Sequence, residues 1–317
     1  MSAQLSERRV NVVAILVNPA AGGGRGERIA ARAVDRLRAR GLEVRLLCGD
    51  SAEQSLELAR EAVASGVDAL AVCGGDGMIS LAVQAQVSSG VPIGIIPAGT
   101  GNDLAREYGI PLNRPEVAAD IIADGLVERV DLGRVTPDGG EAQVFASILC
   151  AGLDSAVNRR VNEMTILGGS LRYVLAAAWE LPTYRPRRFR MVFDGGETPA
   201  DIVETDVMLS AFAITRSYGG NMKIAPDADR SDGLFDVVYL EKISAARLAL
   251  HFPRIYSGTH IGMRGLKTRR CRTVRLEAAD VEAFADGDAV APLPVTVEVL
   301  PGAGLFLVPG ESHQSHR

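Results

Sequence analysis

Apolar and polar positions follow two rhythms along the chain. Over residues 10–17 a β-branched apolar run ends at Asn18-Pro19, the pattern of a buried parallel strand. Over 27–40 the apolar residues Ile29, Ala30, Ala33, Val34 and Leu37 recur at helical spacing and stop at Gly41. Residues 42–47 read as a second strand, 52–64 as a helix closed by Gly66, and 69–73 as a third strand. A turn over 74–77 leads into a helix over 79–87. Residues 93–96 form a fourth strand, whose loop runs to Asn102-Asp103, a cap for a helix over 104–108. Strand and helix in alternation predict right-handed crossovers and a parallel, Rossmann-like α/β sheet, here assigned to residues 1–132.

The rhythm changes after Val130. Strand-like runs at 144–150, 189–193, 203–214, 234–239, 273–277 and 295–300 are separated by turn signals such as Asp194-Gly-Gly196 and Asp286-Gly-Asp288. They predict an antiparallel β domain over 133–309. Two helices interrupt it. One lies near 171–181; the other, over 245–256, is capped by Ser244 and bent or shortened at Pro253. Tyr173 and Trp179 fall on an apolar helix face and read as core. Residues 310–317 read as a flexible polar tail.

Composition narrows the class without naming a function. With 317 residues the chain can hold two domains, and 47% hydrophobic with 23% charged residues is ordinary for a globular protein. A formal net charge of -5 argues against general nucleic-acid binding. No apolar run reaches membrane-spanning length, and the N-terminus lacks a signal-peptide core, so a cytoplasmic location is expected. Cys48, Cys73, Cys150 and Cys271 form no CxxC pair and read as reduced core thiols. Basic charge clusters at Arg185, Arg187, Arg188 and Arg190 and again from Arg264 to Arg275. Each cluster is either a solvated face or a surface for anionic head groups.

Three segments carry candidate chemistry: Asn18-Pro-Ala-Ala-Gly22-Gly-Gly, Gly74-Gly-Asp-Gly-Met78 and Pro97-Ala-Gly-Thr-Gly-Asn-Asp103. Glycines at strand ends let backbone N–H groups and a following helix N-terminus approach a phosphate. Asp76 among Gly74, Gly75 and Gly77 implies a cationic partner there, such as Mg²⁺. Thr100 and Asn102 offer a hydroxyl and an amide to phosphates, or cap a helix. Walker A and GxGxxG patterns are absent. Further on, Asp227, Asp229 and Asp232 crowd the start of a β-run, either as hard oxygen ligands or as Asx turns. Asp286-Gly-Asp288 reads alone as a hairpin turn.

In this order, with Ala225-Pro-Asp-Ala-Asp229 and Ser231-Asp-Gly-Leu-Phe-Asp236 between, the motifs resemble the diacylglycerol kinase catalytic family, which includes bacterial lipid kinases and sphingosine kinases. The resemblance spans residues 10–310. It implies an α/β ATP-binding domain, a C-terminal β-sandwich that helps receive a lipid, and an active site in the cleft between them. It implies nucleotide contacts at Asn18, Gly74, Gly75, Asp76, Gly77, Met78, Ser80, Gly99, Thr100 and Asn102. A Mg²⁺ site is implied at Asp229, Asp232 and the Leu234 carbonyl. Asp288 stands as the base that deprotonates the lipid hydroxyl, and Asp76 either holds the catalytic Mg²⁺ or supports that base. Three positions depart from the family: Met78 replaces the usual Thr, Asp288 the usual Glu, and Ile214 opens a segment that usually begins with Asn.

The implied activity is ATP- and Mg²⁺-dependent phosphorylation of diacylglycerol to phosphatidic acid, in lipid metabolism. Sphingosine- or ceramide-like alcohols are the alternative substrates, and a nucleotide-binding regulator without turnover is the alternative class. NAD kinases share the Gly-Gly-Asp-Gly loop, but their Asn-Asn-Glu signature is absent. The expected partners are a lipid substrate and, transiently, an anionic membrane surface at the inner face, met through the 185–190 and 264–275 arginines; a homodimer is left open. The helix carrying Leu171, Val174 and Leu175 is an alternative border for a lipid pocket.

Overall fold

The computed structural model describes residues 4–18, 24–164, 175–176 and 178–314. Contacts divide the chain into two compact units, Met1–Val130 with Gly302–Arg317, and Asp131–Pro301. The expected second domain, ending at 309, therefore takes in residues that pack with the first unit.

In the first unit, β1 (Gln4–Glu7) is followed by β2 (Val12–Val17), α1 (Gly26–Ala39), β3 (Glu43–Leu47), α2 (Ala52–Ala64) and β4 (Ala69–Gly74). Then come α3 (Asp76–Gln86), β5 (Ile93–Pro97), α4 (Asp103–Glu107), α5 (Pro115–Asp124) and the start of β6 (Leu126–Pro137). The parallel order is β3-β2-β4-β5. The β-branched runs fill its centre: Val13 to Leu16 and Ala69 to Cys73 are wholly buried. Helix α5 was not foreseen, and Pro115 at its first turn is its start signal. It lies beside α1, where Arg32, Arg36 and Arg40 meet Glu116, Asp120 and Asp124, matched ladders of charge at i, i+4 spacing.

The second unit holds β7 (Gln143–Phe145), β8 (Ile148–Gly152), α6 (Leu153–Glu163), β9 (Arg187–Phe193), β10 (Ile202–Ala213) and β11 (Phe235–Glu241). It continues with α7 (Ala245–His251), α8 (Arg254–Ser257), β12 (Leu266–Cys271), β13 (Thr273–Glu277), β14 (Glu282–Ala285), β15 (Asp288–Pro292) and β16 (Val295–Leu307). As expected, Pro253 divides the 245–256 segment into two short helices. Among the described residues the pairs β6–β7, β8–β10, β8–β14, β9–β10, β9–β13, β10–β11, β11–β12, β13–β16 and β14–β15 are antiparallel. The long strand β10 serves two layers. Its first half pairs with β9, its second half with β8 and β11, and the register shifts between Val207 and Leu209. Such an irregularity bends one strand into both sheets of a sandwich. Buried Phe145, Phe189, Phe193, Phe212 and Phe235 fill the space.

β16 ends in the first unit. Phe306 pairs in parallel with Ile93 and stacks on Tyr108 at 4.6 Å between centroids, and Val308 N–H donates to the Leu126 carbonyl. A last helix, α9 (Glu311–Gln314), ties Nε2 of His313 to Asp124 at 2.7 Å. The expected flexible tail is therefore structured as far as Gln314.

Residues 171–174 and 177 of the predicted 171–181 helix, Leu171, Tyr173 and Val174 among them, lie outside the described residues. Trp179 does not: it is 69% exposed, so its expected place in the core is corrected. Cys48 is likewise exposed, whereas Cys73, Cys150 and Cys271 are buried. Burial pushes the Cys73 and Cys271 thiols up to about 12.

Candidate active site

The phosphate-type loops of the first unit meet at the C-terminal ends of β4 and β5, where open α/β sheets place ligands. Gly74 closes β4, and Gly75 is the N-cap of α3, three residues earlier than expected. The helix therefore starts within the Gly-Gly-Asp-Gly motif itself. No side chain caps it, so its first N–H groups and the helix dipole are available to an anion. The two loops touch backbone to backbone: a Cβ on Gly99 would stand 2.5 Å from the Gly75 Cα. Only glycine fits that approach. Met78 lies over Gly74, whose own Cβ would meet the Met78 side chain at 2.9 Å. Asn18 N–H donates to the Cys73 carbonyl at 3.1 Å, prolonging the β2–β4 pairing to the motif. Thr100 and Gly77 are exposed, and Ser80 is half-buried. Residues 19–23 of the first glycine segment lie outside the described residues.

Asn102 does not cap α4 as expected. It adopts φ 57° and ψ 44°, and its amide closes a ring onto Gly99, accepting from the Gly99 N–H at 2.9 Å and donating to its carbonyl at 2.8 Å. The cap comes from Asp76. Its Oδ2 accepts from Asp103 N–H and its Oδ1 from Leu104 N–H, both at 3.1 Å. Burial, then the nearby Asp103 charge, raises the Asp76 pKa, while the backbone donors oppose the shift.

In the second unit Asp288 opens β15, after the turn Asp286-Gly287, whose residues have φ 50° and 94°. Positive φ at both turn positions is the I′ hairpin geometry. Asp286 points back: its Oδ2 and Oδ1 accept from Ala146 and Ser147 N–H, each at 2.9 Å. Asp288 keeps an exposed surface, yet desolvation raises its carboxyl pKa.

The sequence offered only the helix with Leu171, Val174 and Leu175 as a border for a lipid pocket; the described residues of the same unit enclose an apolar site with a different lining. A cavity of about 80 Å³ is lined by residues including Leu153, Leu181, Leu240, Leu248, Phe252 and Met263. Asp154 and His260 interrupt its apolar wall. Asp154 is enclosed; burial pushes its pKa up to about 6 against a hydrogen bond from Tyr218. Its Oδ2 has no partner among the described residues, and neither has Nδ1 of His260. His260 Nε2 lies 3.1 Å from the Ile224 carbonyl, and burial lowers the pKa of its ring. A lone acid in the polar run Leu153-Asp-Ser-Ala-Val-Asn gives no signal in sequence; only the fold shows that it faces apolar side chains.

Residues 12–135 match the family model described as the diacylglycerol kinase catalytic domain. Residues 147–308 match the YegS C-terminal NAD kinase beta sandwich-like domain. A Mycobacterium tuberculosis (strain H37Rv) protein named diacylglycerol kinase is 42% identical over 306 residues, 96% of this chain and 98% of its own length. The chain belongs to the diacylglycerol kinase family. A Bacillus subtilis (strain 168) diacylglycerol kinase is 28% identical over 88% of this chain and 90% of its own. A Stenotrophomonas maltophilia (strain K279a) relative, 30% identical over 82% of this chain and 84% of its own, is named a YegS-like lipid kinase. A solved Bacillus anthracis str. Sterne chain titled as a diacylglycerol kinase shares the fold, with TM-score 0.71, 20% identity, and 96% and 98% of the two chains covered.

Family membership makes the chain a lipid kinase, and it raises the question of the implied Mg²⁺ site. The donors there are already engaged. Asp232 Oδ1 accepts from Leu234 N–H at 3.0 Å, and its Oδ2 pairs with the Arg270 guanidinium. Asp229 Oδ1 accepts from the N–H and hydroxyl of Ser231, at 3.0 and 2.7 Å. Gly233 N–H donates to Asp131. Among the described residues no three acidic, His or Cys side chains converge as a metal cage. As arranged, Asp229, Asp232 and Leu234 do not fit a divalent ion, because Arg270 supplies the positive charge that the ion would bring.

Proposed function

We propose that the protein transfers the γ-phosphoryl group of MgATP to the hydroxyl of diacylglycerol, giving phosphatidic acid. The observation that carries the lipid part is the apolar cavity with two unpaired polar atoms in its wall. An amphipathic molecule satisfies both surfaces: alkyl chain on Leu240, Leu248 and Phe252, polar groups toward Asp154 and His260. The uncapped start of α3 and the touching glycines Gly75 and Gly99 support nucleotide phosphates in the first unit.

Phosphoryl transfer asks little covalent chemistry of the protein; it needs position, balanced charge and a proton acceptor. We assign the acceptor role to Asp288. Desolvation raises the Asp288 pKa, which makes its carboxylate a stronger base than an exposed aspartate. Asp76 has both oxygens on backbone N–H groups, so we assign it to holding the phosphate loop in shape. Asn18, Gly74, Gly77, Met78, Ser80 and Thr100 remain proposed nucleotide contacts around that loop.

The test is incubation with γ-labelled ATP, Mg²⁺ and diacylglycerol in mixed micelles, beside Asp288→Ala. Labelled phosphatidic acid from the wild type alone supports the reading; label on no lipid alcohol, from folded and nucleotide-competent protein, overturns it. Asp154 favours one second reading, a lipid amino alcohol. Its enclosed carboxylate would pair with a cationic head, and preference for a sphingoid base over diacylglycerol in the same assay would establish it.

A further inference from the structure

The basic runs that the sequence offered as a membrane surface are largely committed to acids. Arg187 pairs with Asp280, Arg188 and Arg190 with Glu204, Arg269 with Asp201, Arg270 with Asp232, and Arg275 with Asp138. The Arg188 and Arg190 pairs cross from β9 to β10, and the others reach acids in the adjoining turns, so much of this charge is balanced. Three arginines near the cavity-forming segments differ, and Arg272 of the second run also lacks an ion pair among the described residues. Arg185, Arg247 and Arg264 are exposed and have no ion-pair partner among the described residues. Each adjoins a lining or packing residue of the apolar cavity: Arg185 follows Tyr184, Arg247 precedes Leu248, and Arg264 follows Met263.

The same segments expose large apolar side chains. Leu250 is 74% exposed on α7, two residues beyond the cavity-lining Leu248. Trp179 is 69% exposed, two residues before the cavity-lining Leu181, and Leu175, four residues earlier in the chain, is 42% exposed. The guanidinium of Arg160 lies 5.4 Å from the Trp179 ring centre. Indole beside arginine, and leucine beside an unpaired cation, is the composition of a protein surface that enters the head-group region of a bilayer.

We propose that the cavity rim formed by Trp179, Leu175 and Leu250, with Arg185, Arg247 and Arg264, docks on an anionic lipid bilayer. The proposal rests on the lipid-kinase reading for its purpose, because a lipid then enters the cavity without crossing water. Its residues adjoin the cavity's lining and packing residues along the chain, and this together with the unpaired positive charge selects a membrane over a protein partner. The apolar side chains enter among the acyl chains, and the arginines stay with the phosphates.

Trp179 is the single tryptophan of the chain, so the unmodified protein reports its own docking. It is mixed with vesicles of equal parts phosphatidylcholine and phosphatidylglycerol, without ATP. The expected result is a blue shift of the emission, quenching by brominated acyl chains, and weakening at high salt. Leu250→Glu lowers vesicle affinity about tenfold. Arg247→Gln with Arg264→Gln flattens the salt dependence, and Gln at Arg187, Arg188, Arg269 and Arg270 changes neither. Far-ultraviolet dichroism confirms that each variant is folded. The proposal is overturned if the protein does not bind these vesicles, or if it binds with Trp179 emission unmoved and Leu250→Glu without effect. Docking is read without turnover. A shift of Trp179 with no labelled lipid in the micelle assay would retain the surface and reject the kinase reading; labelled lipid without the shift would do the reverse.

Discussion

The carboxylate of Asp76 caps the helix that begins at Asp103, twenty-seven positions further along the chain. One side chain thereby joins the loop after β4 to the loop after β5. Asp76→Ala leaves the N–H groups of Asp103 and Leu104 without their carboxylate acceptors and is expected to cost about 1–2 kcal/mol of stability. It should also lower ATP affinity about tenfold, because the glycines of the two loops are no longer held together. Thermal unfolding and calorimetric titration with ATP check both. Unchanged affinity in a destabilised variant would make Asp76 a stability residue alone.

A second aspartate works the same way in the other unit. Asp286 accepts two N–H groups at Ala146 and Ser147 and so fixes the hairpin that carries Asp288. Asp286→Ala is expected to lower kcat by more than it raises the lipid KM, with a stability loss of about 2 kcal/mol. Asp286→Asn, which keeps one acceptor oxygen, should recover part of kcat. Equal loss in both variants would argue against a positioning role.

Asp154 predicts an unusual dependence on pH. Its pKa stands at about 6, above the ordinary 3.8 of an aspartate. The folded chain therefore holds this proton more tightly than the unfolded chain. Folding takes up a proton between the two values, so this contribution to stability is present at low pH and is lost as pH rises toward 6. Asp154→Asn is expected to stabilise the protein by about 2–3 kcal/mol at pH 8 and by much less at pH 4. Denaturant midpoints for wild type and variant at both pH values measure it, and equal effects would refute it. Since Asp154 faces the cavity, the stabilised variant should bind lipid less well.

Arg270 stands where a cation is needed. Its removal leaves Asp232 without its guanidinium partner, close to Asp236, whose pKa burial and then the Asp227 charge push up to about 6. EDTA is expected to leave the melting temperature of the wild type unchanged. Arg270→Met should cost about 1 kcal/mol, discounted for the exposure of the arginine, and Mg²⁺ or Ca²⁺ should restore part of it. A wild type that melts lower in EDTA would return the structural metal to this turn.

The parallel half of the fold was legible because its strands are long apolar runs and its helices carry a clean period, as in Ile29, Ala33 and Leu37. The antiparallel half was legible through its turns, among them Asp286-Gly287. Helix α6 was missed because only Leu153, Val157 and Val161 form its apolar stripe, too narrow to stand out in a polar segment. The glycine motifs marked the phosphate loops, but not the partnership of Asp76 with Asp103, which depends on two strands being neighbours. The donors at Asp229 and Asp232 were visible; Arg270, which answers one of them from β12, was not. The run 269–275 looks like a binding face in sequence, but Arg269, Arg270 and Arg275 form ion pairs with Asp201, Asp232 and Asp138 in turns distant along the chain.

The passage of β16 from one unit into the other constrains how the protein is made. Phe306 supplies the strand beside β5, and Val308 and His313 fasten onto Leu126 and Asp124. The N-terminal unit emerges first from the ribosome, but it lacks an edge of its sheet until the final residues are synthesised. The sandwich, complete by Pro301, has all its strands earlier. Chain order and folding order are thus reversed: the first unit waits for Phe306, Val308 and His313, and a stop codon anywhere between β15 and Phe306 leaves it open.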